Sequence, residues 1–376
     1  VPSITIRGWD RNKTIIDGEF ERGNGILVAG VDGVTIENIT ARNALLNGFY
    51  WATVKGYRGS YLTAYNNGDY GVYAFDAVDG VLDHSYATGS PDAGFYIGQC
   101  YPCDAIVNNV VSEYNGLGYS GTNSGGSLYI TSSIFRNNKG GLAPNTLDSE
   151  LLPPERETFI IGNLIENNNN YNSPATNSTY LSYGNGVVIA GGNNNIIKNN
   201  VIVDHDLYGV ILTASMDVNY WPAHGNRVEE NLILSSRKAD IAVSGVSNLA
   251  NCFEGNYFNT SIPPGLQALN GCEKNIIPLS ADLSGLWSTI ARLIYANTGD
   301  FYQDDWRTLP APEQQENMPI MQEIIDANDN GQYELGFYQY LPSFRNSVKP
   351  AVNVYEDYKY TLKDVQLPQD AIKYLN

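Results

Sequence analysis

An all-β chain of stacked parallel coils, followed by a partly helical and irregular C-terminal extension, is predicted by three regularities of the sequence. Gly25, Gly48, Gly71 and Gly94 fall 23 residues apart, and Gly118 to Gly141 and Gly186 to Gly209 keep that interval. Short apolar or aromatic runs follow these glycines: Ile26-Leu27-Val28, Phe49-Tyr50-Trp51, Val72-Tyr73-Ala74, Phe95-Tyr96-Ile97, Val187-Val188-Ile189 and Val210-Ile211-Leu212. An Asn or Ser also recurs after a second apolar segment, at Asn38, Ser85, Asn109, Ser133, Asn163, Asn200, Asn231 and Asn256.

A period of 23 residues has no room for a crossover helix, which parallel strands otherwise need. Three strands of about five residues and three turns fill it, so one period is one turn of a parallel solenoid. The glycines are expected to supply positive-φ turns. The amides are expected to hydrogen-bond along the stack, as they do where parallel strands repeat in register.

These elements, written NG-[VIF]-x-[VIA] and [VI]-x-x-[NS]-x-[VIL], resemble the right-handed parallel β-helix repeats of the pectin-lyase-like class over roughly residues 1–274. The resemblance implies a right-handed β-helix. It leaves the activity open, because the class includes lyases, hydrolases, epimerases, tailspikes, adhesins and metal-delivery proteins. The Gly-His-Gly and Arg-Ile-Lys motifs of polygalacturonases and the Asp-Pro-His-Asp of alginate epimerases are missing, so no catalytic residue carries over.

Insertions break the period near 151–183 and 215–224. Such insertions gather on one face of a solenoid and often wall a groove. After Cys272 the repeat stops, and residues 275–376 are expected to cap the C-terminal edge, which otherwise exposes unpaired strand groups. Within them Leu283, Leu286, Trp287, Ile290 and Ile294 mark one helix face, Pro310 to Pro319 a linker, and Met321 to Ala327 a short helix.

The chain carries 40 acidic and 22 basic residues, a net −18, of which −7 falls after residue 274. No run of Lys or Arg is present, which excludes nucleic acid as a partner. No stretch of about 18 apolar residues occurs, so no membrane-spanning helix is expected. The chain opens at Val1, already in the strand-like Ile4-Thr5-Ile6, as one relieved of a leader or cut from a longer protein would.

Along the strand after each glycine, alternation points the second residue outward. That gives a column of Leu27, Tyr50, Tyr73 and Tyr96, continuing through Gly121 or Asn123, Asn145, Val188 and Ile211. Tyrosines about 4.8 Å apart either stack to stabilise the sheet or offer a strip for sugar rings. Asp76, Gln99, Asn123, Asn145, Asp148 and Glu150 lie beyond this strip, and Asp69 and Asp92 precede it. The candidate catalytic acids are Asp76, Asp92, Asp148 and Glu150, with Tyr50, Tyr73, Tyr96, Gln99, Asn123 and Asn145 as candidate substrate-binding residues. Two carboxyls within about 5 to 10 Å of each other would suit glycoside hydrolysis. A uronate lyase would need cations, and Arg136, Lys139 and Arg156 are the only ones near.

Four cysteines, Cys100, Cys103, Cys252 and Cys272, are expected to form two disulfides, in a chain read as secreted or cell-surface. Of the scattered histidines, His205 lies in Asp204-His205-Asp206 and is taken as structural in preference to a metal ligand. Asp326, Asn328 and Asn330 match the first half of a calcium loop, but Phe337 stands where its bidentate Glu belongs, so a plain turn competes with calcium. The expected function is polysaccharide binding with hydrolase or lyase activity. The alternatives are a non-catalytic scaffold or adhesin, self-associating through solenoid faces, and a periplasmic metal- or sugar-delivery protein.

Overall fold

In the computed structural model the described residues are 4–244, 250–273, 290, 294, 302–329 and 353–375. Parallel strands stack coil upon coil into one 18-stranded and one 10-stranded sheet. The larger sheet supplies two faces of each coil and the smaller the third. The first face is formed by Asn24–Ala29, 47–52, 70–75, Ala93–Gly98, Leu117–Thr122, Gly140–Asn145, Val187–Ala190, Tyr208–Thr213 and Ala239–Ser244. The inward positions read from the repeat do face the core: Val28, Phe49, Trp51, Val72, Ala74, Phe95 and Ile97 are all buried.

The repeated glycines are needed for a different reason from the one expected. None of Gly25, Gly48, Gly71 and Gly94 has positive φ. A Cβ on Gly48 would lie 2.6 Å from the Gly71 carbonyl oxygen, and one on Gly71 2.6 Å from that of Gly94, closer than any side chain tolerates. The glycines let successive coils approach, while Asn38, His84 and Asn109 take the positive-φ turns.

The amide ladder is also richer than the sequence suggested. One runs from Ser133 through Asn163, Asn200, Asn231 and Asn256 to Gln267, each side-chain oxygen accepting from the backbone N–H of the coil before. A second passes through Asn115, Asn138 and Asn168 to His205, and a third through Asn195, Asn226 and Asn251. Asn109 is outside them: Val110 holds the ladder position, and its N–H bonds Ser133 at 3.1 Å. His205 is structural, its Nδ1 accepting from Asn168 N–H, and burial pushes its pKa down to about 4.

The described parts of the extension run along the flank of the coils and not over their C-terminal edge. Residues 315–318 bond Arg11, Asn12 and Asn38 in the first coils. Val354, Tyr355, Tyr358 and Leu362 pack on Val81, Ile106 and Tyr129. Leu367, Ala371 and Tyr374 cover Leu164, Val201, Val203 and Leu232. These outward apolar columns favour the placement, since burying them removes apolar surface from water. The terminal coil is closed instead by the short helix Leu266–Leu269, whose Leu266 enters the core, and by the Cys252–Cys272 disulfide. Among the described residues no helix is long and apolar enough to cross a membrane.

The expected helix of 283–294 lies largely outside the described residues, though Ile290 and Ile294 are helical. The helix Pro319–Asp329 runs past Ala327. Asp326 and Asn328 are therefore helical and not in a ligand loop, with Asp326 accepting from the Gln322 amide at 2.7 Å. Asn330 lies outside the described residues.

Candidate functional site

The insertions stand on both sides of the first face. Residues 146–155 and 214–224 leave its strands at the same corner, two coils apart, and 167–186 enter from the opposite corner with the short helix Asn177–Tyr180. Between these walls is a groove of about 280 Å³. Its floor includes Tyr70, Asp92, Leu117, Ser120, Ala143, Val188 and Ile211, and Leu147, Glu150, Ser178, Leu181 and Met216 rise along the sides.

The outward column is Leu27, Tyr50, Tyr73, Tyr96, Ser120, Ala143, Val188 and Ile211 by strand register. Ser120 and Ala143 thus replace the expected Gly121 or Asn123 and Asn145, because each sits two residues after its glycine as the other members do. The tyrosine faces are spent on one another: Tyr50 and Tyr73 stack at 4.4 Å, as do Tyr70 and Tyr73. Tyr96 is 1% exposed, so the strip presents edges and hydroxyls and not open ring faces.

Asp92 and Glu150 are brought to the same groove. The Tyr96 hydroxyl reaches both Glu150 oxygens, at 2.8 and 3.0 Å. Gly98 makes this possible, because a Cβ there would lie 2.2 Å from the Tyr96 hydroxyl. Burial pushes the Glu150 pKa up to about 7 against the opposing pull of that hydrogen bond. Burial, followed by the charge of Asp69, pushes Asp92 up to about 7 as well, with Tyr70 opposing and Glu150 adding to the rise. Asp69, one coil earlier and 23 residues before Asp92, is itself pushed to about 6 by burial.

The other expected residues divide by role. Asn145 lines the groove and accepts from the Thr122 hydroxyl at 3.0 Å. Asn123 is fully buried, and its amide bonds Leu147 O at 2.7 Å and Glu150 O at 2.9 Å while accepting from Leu147 N–H. Gln99 accepts from Leu151 N–H at 2.8 Å. Both therefore brace the loop that carries Glu150. Asp148 accepts from Asn219 N–H, the Asn219 amide and the Trp221 indole, which hold its pKa low and clasp the two loops of one wall together. Asp76 is exposed at a positive-φ corner within the strand Tyr70–Asp83, near Tyr50 and outside the groove lining.

Tyr70 was not singled out from the sequence, and Val188 and Ile211 were read there as outward residues but not as the floor of a groove. The signal for Tyr70 was its place next to Asp69, 23 residues before Asp92-Ala93. Both cysteine pairs form disulfides, Cys100–Cys103 directly after Gln99 and Cys252–Cys272 at the solenoid end.

Residues 5–151 match the family model described as a right-handed β-helix region. No curated protein matches the sequence. Among solved structures, the periplasmic alginate epimerase AlgG is similar at 13% identity and a TM-score of 0.44, over 60% of this chain and 50% of that one. The chain therefore spans about half the length of AlgG. The A-modules of the Azotobacter vinelandii mannuronan C-5 epimerases AlgE4 and AlgE6 are similar at 14% and 16% identity, with TM-scores of 0.47 and 0.49. They cover 74% and 68% of this chain and are themselves covered over 82% and 81%. These likenesses are of fold.

Proposed function

We propose that the chain is an extracytoplasmic glycan-acting enzyme that hydrolyses a neutral saccharide in the walled groove, with Asp92 and Glu150 as its acid–base pair. The observation that carries this reading is the convergence of two carboxyls, each pushed to about 7, on one groove. Two interacting acids of that kind share about one proton near neutrality. One can then protonate a leaving oxygen while the other activates water or attacks. Glu150, on the loop that walls the groove, is assigned as the acid, and Asp92 as its partner.

Among the described lining residues none is Lys or Arg. A uronate would bring a charge with no partner there, so a neutral sugar suits the groove better than a polyuronate. The two disulfides favour an oxidising compartment. The test is incubation with a panel of neutral and acidic polysaccharides, following reducing ends and the absorbance of unsaturated products together. Reducing ends without unsaturation are expected from a neutral glycan, abolished by Glu150→Gln and Asp92→Asn. Unsaturated products would replace hydrolysis by elimination, and silence on every glycan would put the alternative scaffold reading first.

A further inference from the structure

Outward positions of a solenoid strand normally meet water and are polar, yet here the column changes character along the axis. From Tyr50 to Ser120 it carries hydroxyls, and from Ala143 through Val188, Ile211 and Ala242 it is aliphatic. Leu117, Ala143, Val188, Tyr208, Ile211 and Ala242 form an apolar cluster of their own, separate from the solenoid core. Loops folded over such a cluster would ordinarily fill it, because protein interiors leave few voids larger than a water. Here about 280 Å³ stays open above it. Leu147, Leu181 and Met216 face that space from the walls, and Ile290 of the extension also lines it.

The groove is therefore polarised end to end. At the Tyr70 end it offers the carboxyls of Asp92 and Glu150, and toward Ile211 its outward column becomes methyl and methylene groups at Ala143, Val188 and Ile211, with Thr122, Asn145 and Thr213 along the neighbouring column. Tyr96 and Ile211 are four coil steps apart in register, on the order of 19 Å at about 4.8 Å per step. A purely hydroxylated oligosaccharide laid along the Ala143, Val188 and Ile211 column would leave the hydroxyls that face it unpaired, at a cost of about 1 to 3 kcal/mol for each buried one.

We infer that the groove takes a neutral glycoside bearing a linear aliphatic chain, its sugar between Asp92 and Glu150 and its chain along the Leu117, Val188 and Ile211 floor. This rests on the hydrolase reading for the sugar end only. The aliphatic end recognises its ligand without chemistry, by removing methylenes from water.

The test uses n-alkyl glucosides, galactosides and maltosides from methyl to decyl, each below its micelle concentration, with the full chain. Binding is followed by calorimetric titration to the Glu150→Gln variant, and hydrolysis by sugar release from the wild type. Affinity for one sugar is expected to rise about fourfold per added methylene until the floor is covered. Met216→Asp, at an exposed wall position, and Ile211→Asn, on the floor, should each flatten that slope, and the wall variant guards against a misfolded floor variant. Chain-length-dependent binding with no sugar release would support the amphiphile site and overturn the hydrolase reading. Sugar release independent of chain length would uphold the hydrolase and overturn the amphiphile inference. A slope that survives in a folded Met216→Asp and a folded Ile211→Asn, or no binding of any alkyl glycoside, would also overturn it.

Discussion

Replacing Tyr96 by Phe should raise the pKa of Glu150, and the structure sets the size of the change. The Tyr96 hydroxyl donates to the Glu150 carboxylate, with oxygens 2.8 and 3.0 Å away. Such a bond favours the charged form and opposes the burial that pushes the group to about 7. Hydrogen bonds to charged groups contribute about 1.5 to 3 kcal/mol. Because one proton is shared between two acceptor oxygens and the carboxyl keeps some contact with water, the lower figure applies, which corresponds to about one pH unit. Glu150 should then titrate near 8 in place of about 7. The lost hydroxyl leaves only the small space above Gly98, so folding should be unaffected. Infrared difference spectra of the protonated carboxyl stretch across pH 5 to 9 would report the change, with Glu150→Gln identifying the band. If a glycan substrate is in hand, the alkaline limb of kcat/KM should move upward by the same amount. An unchanged or lowered midpoint in Tyr96→Phe would refute the assignment of this contact.

Asn123→Ala should move the same midpoint in the opposite direction. Without the bonds to Leu147 and Glu150 the loop opens, water reaches the carboxyl, and the value falls toward the ordinary range, with kcat/KM lower by tenfold or more; an unmoved midpoint would make Asn123 a purely structural residue. His205 tests the ladder. Its folded value of about 4 is below its ordinary 6.5, so the unfolded chain binds the extra proton, and stability present above about pH 6.5 is lost as the pH falls toward 4. The loss is about 3 kcal/mol by proton linkage. His205→Asn, which keeps a side-chain acceptor for Asn168 N–H and a donor for Ile165 O, should be less sensitive to acid in urea titrations at pH 7 and 4.5. Cys252→Ser with Cys272→Ser, which opens a 20-residue interval, should cost about 3 kcal/mol of stability, visible as a lower Tm and a smaller response to reductant than the wild type shows.

The fold was legible because each coil must repeat the same close contact. Gly48 and Gly71 recur since any side chain would strike the next coil's carbonyl, and a contact demanded at every turn leaves a period in the sequence. The ladders were half legible for the same reason. Asn163, Asn200 and Asn231 follow obvious apolar strands, whereas His205 takes the place of an Asn and is invisible to any search for amides. The site was less legible because its parts come from segments that break the period. Glu150 and Asp92 could be picked out as acids beside the tyrosine column. That Asn123 and Gln99 turn toward the Glu150 loop and not toward the groove depends on how residues 146–151 fold back, which no spacing encodes. The aliphatic floor was half legible. Val188 and Ile211 were placed correctly in the outward column across the 45-residue interval between Gly141 and Gly186, but outward apolar residues count as ordinary until the walls are seen to leave space above them. The repeat thus dictates a scaffold whose outward column is free to vary, and the departures from that repeat are where its chemistry is to be sought.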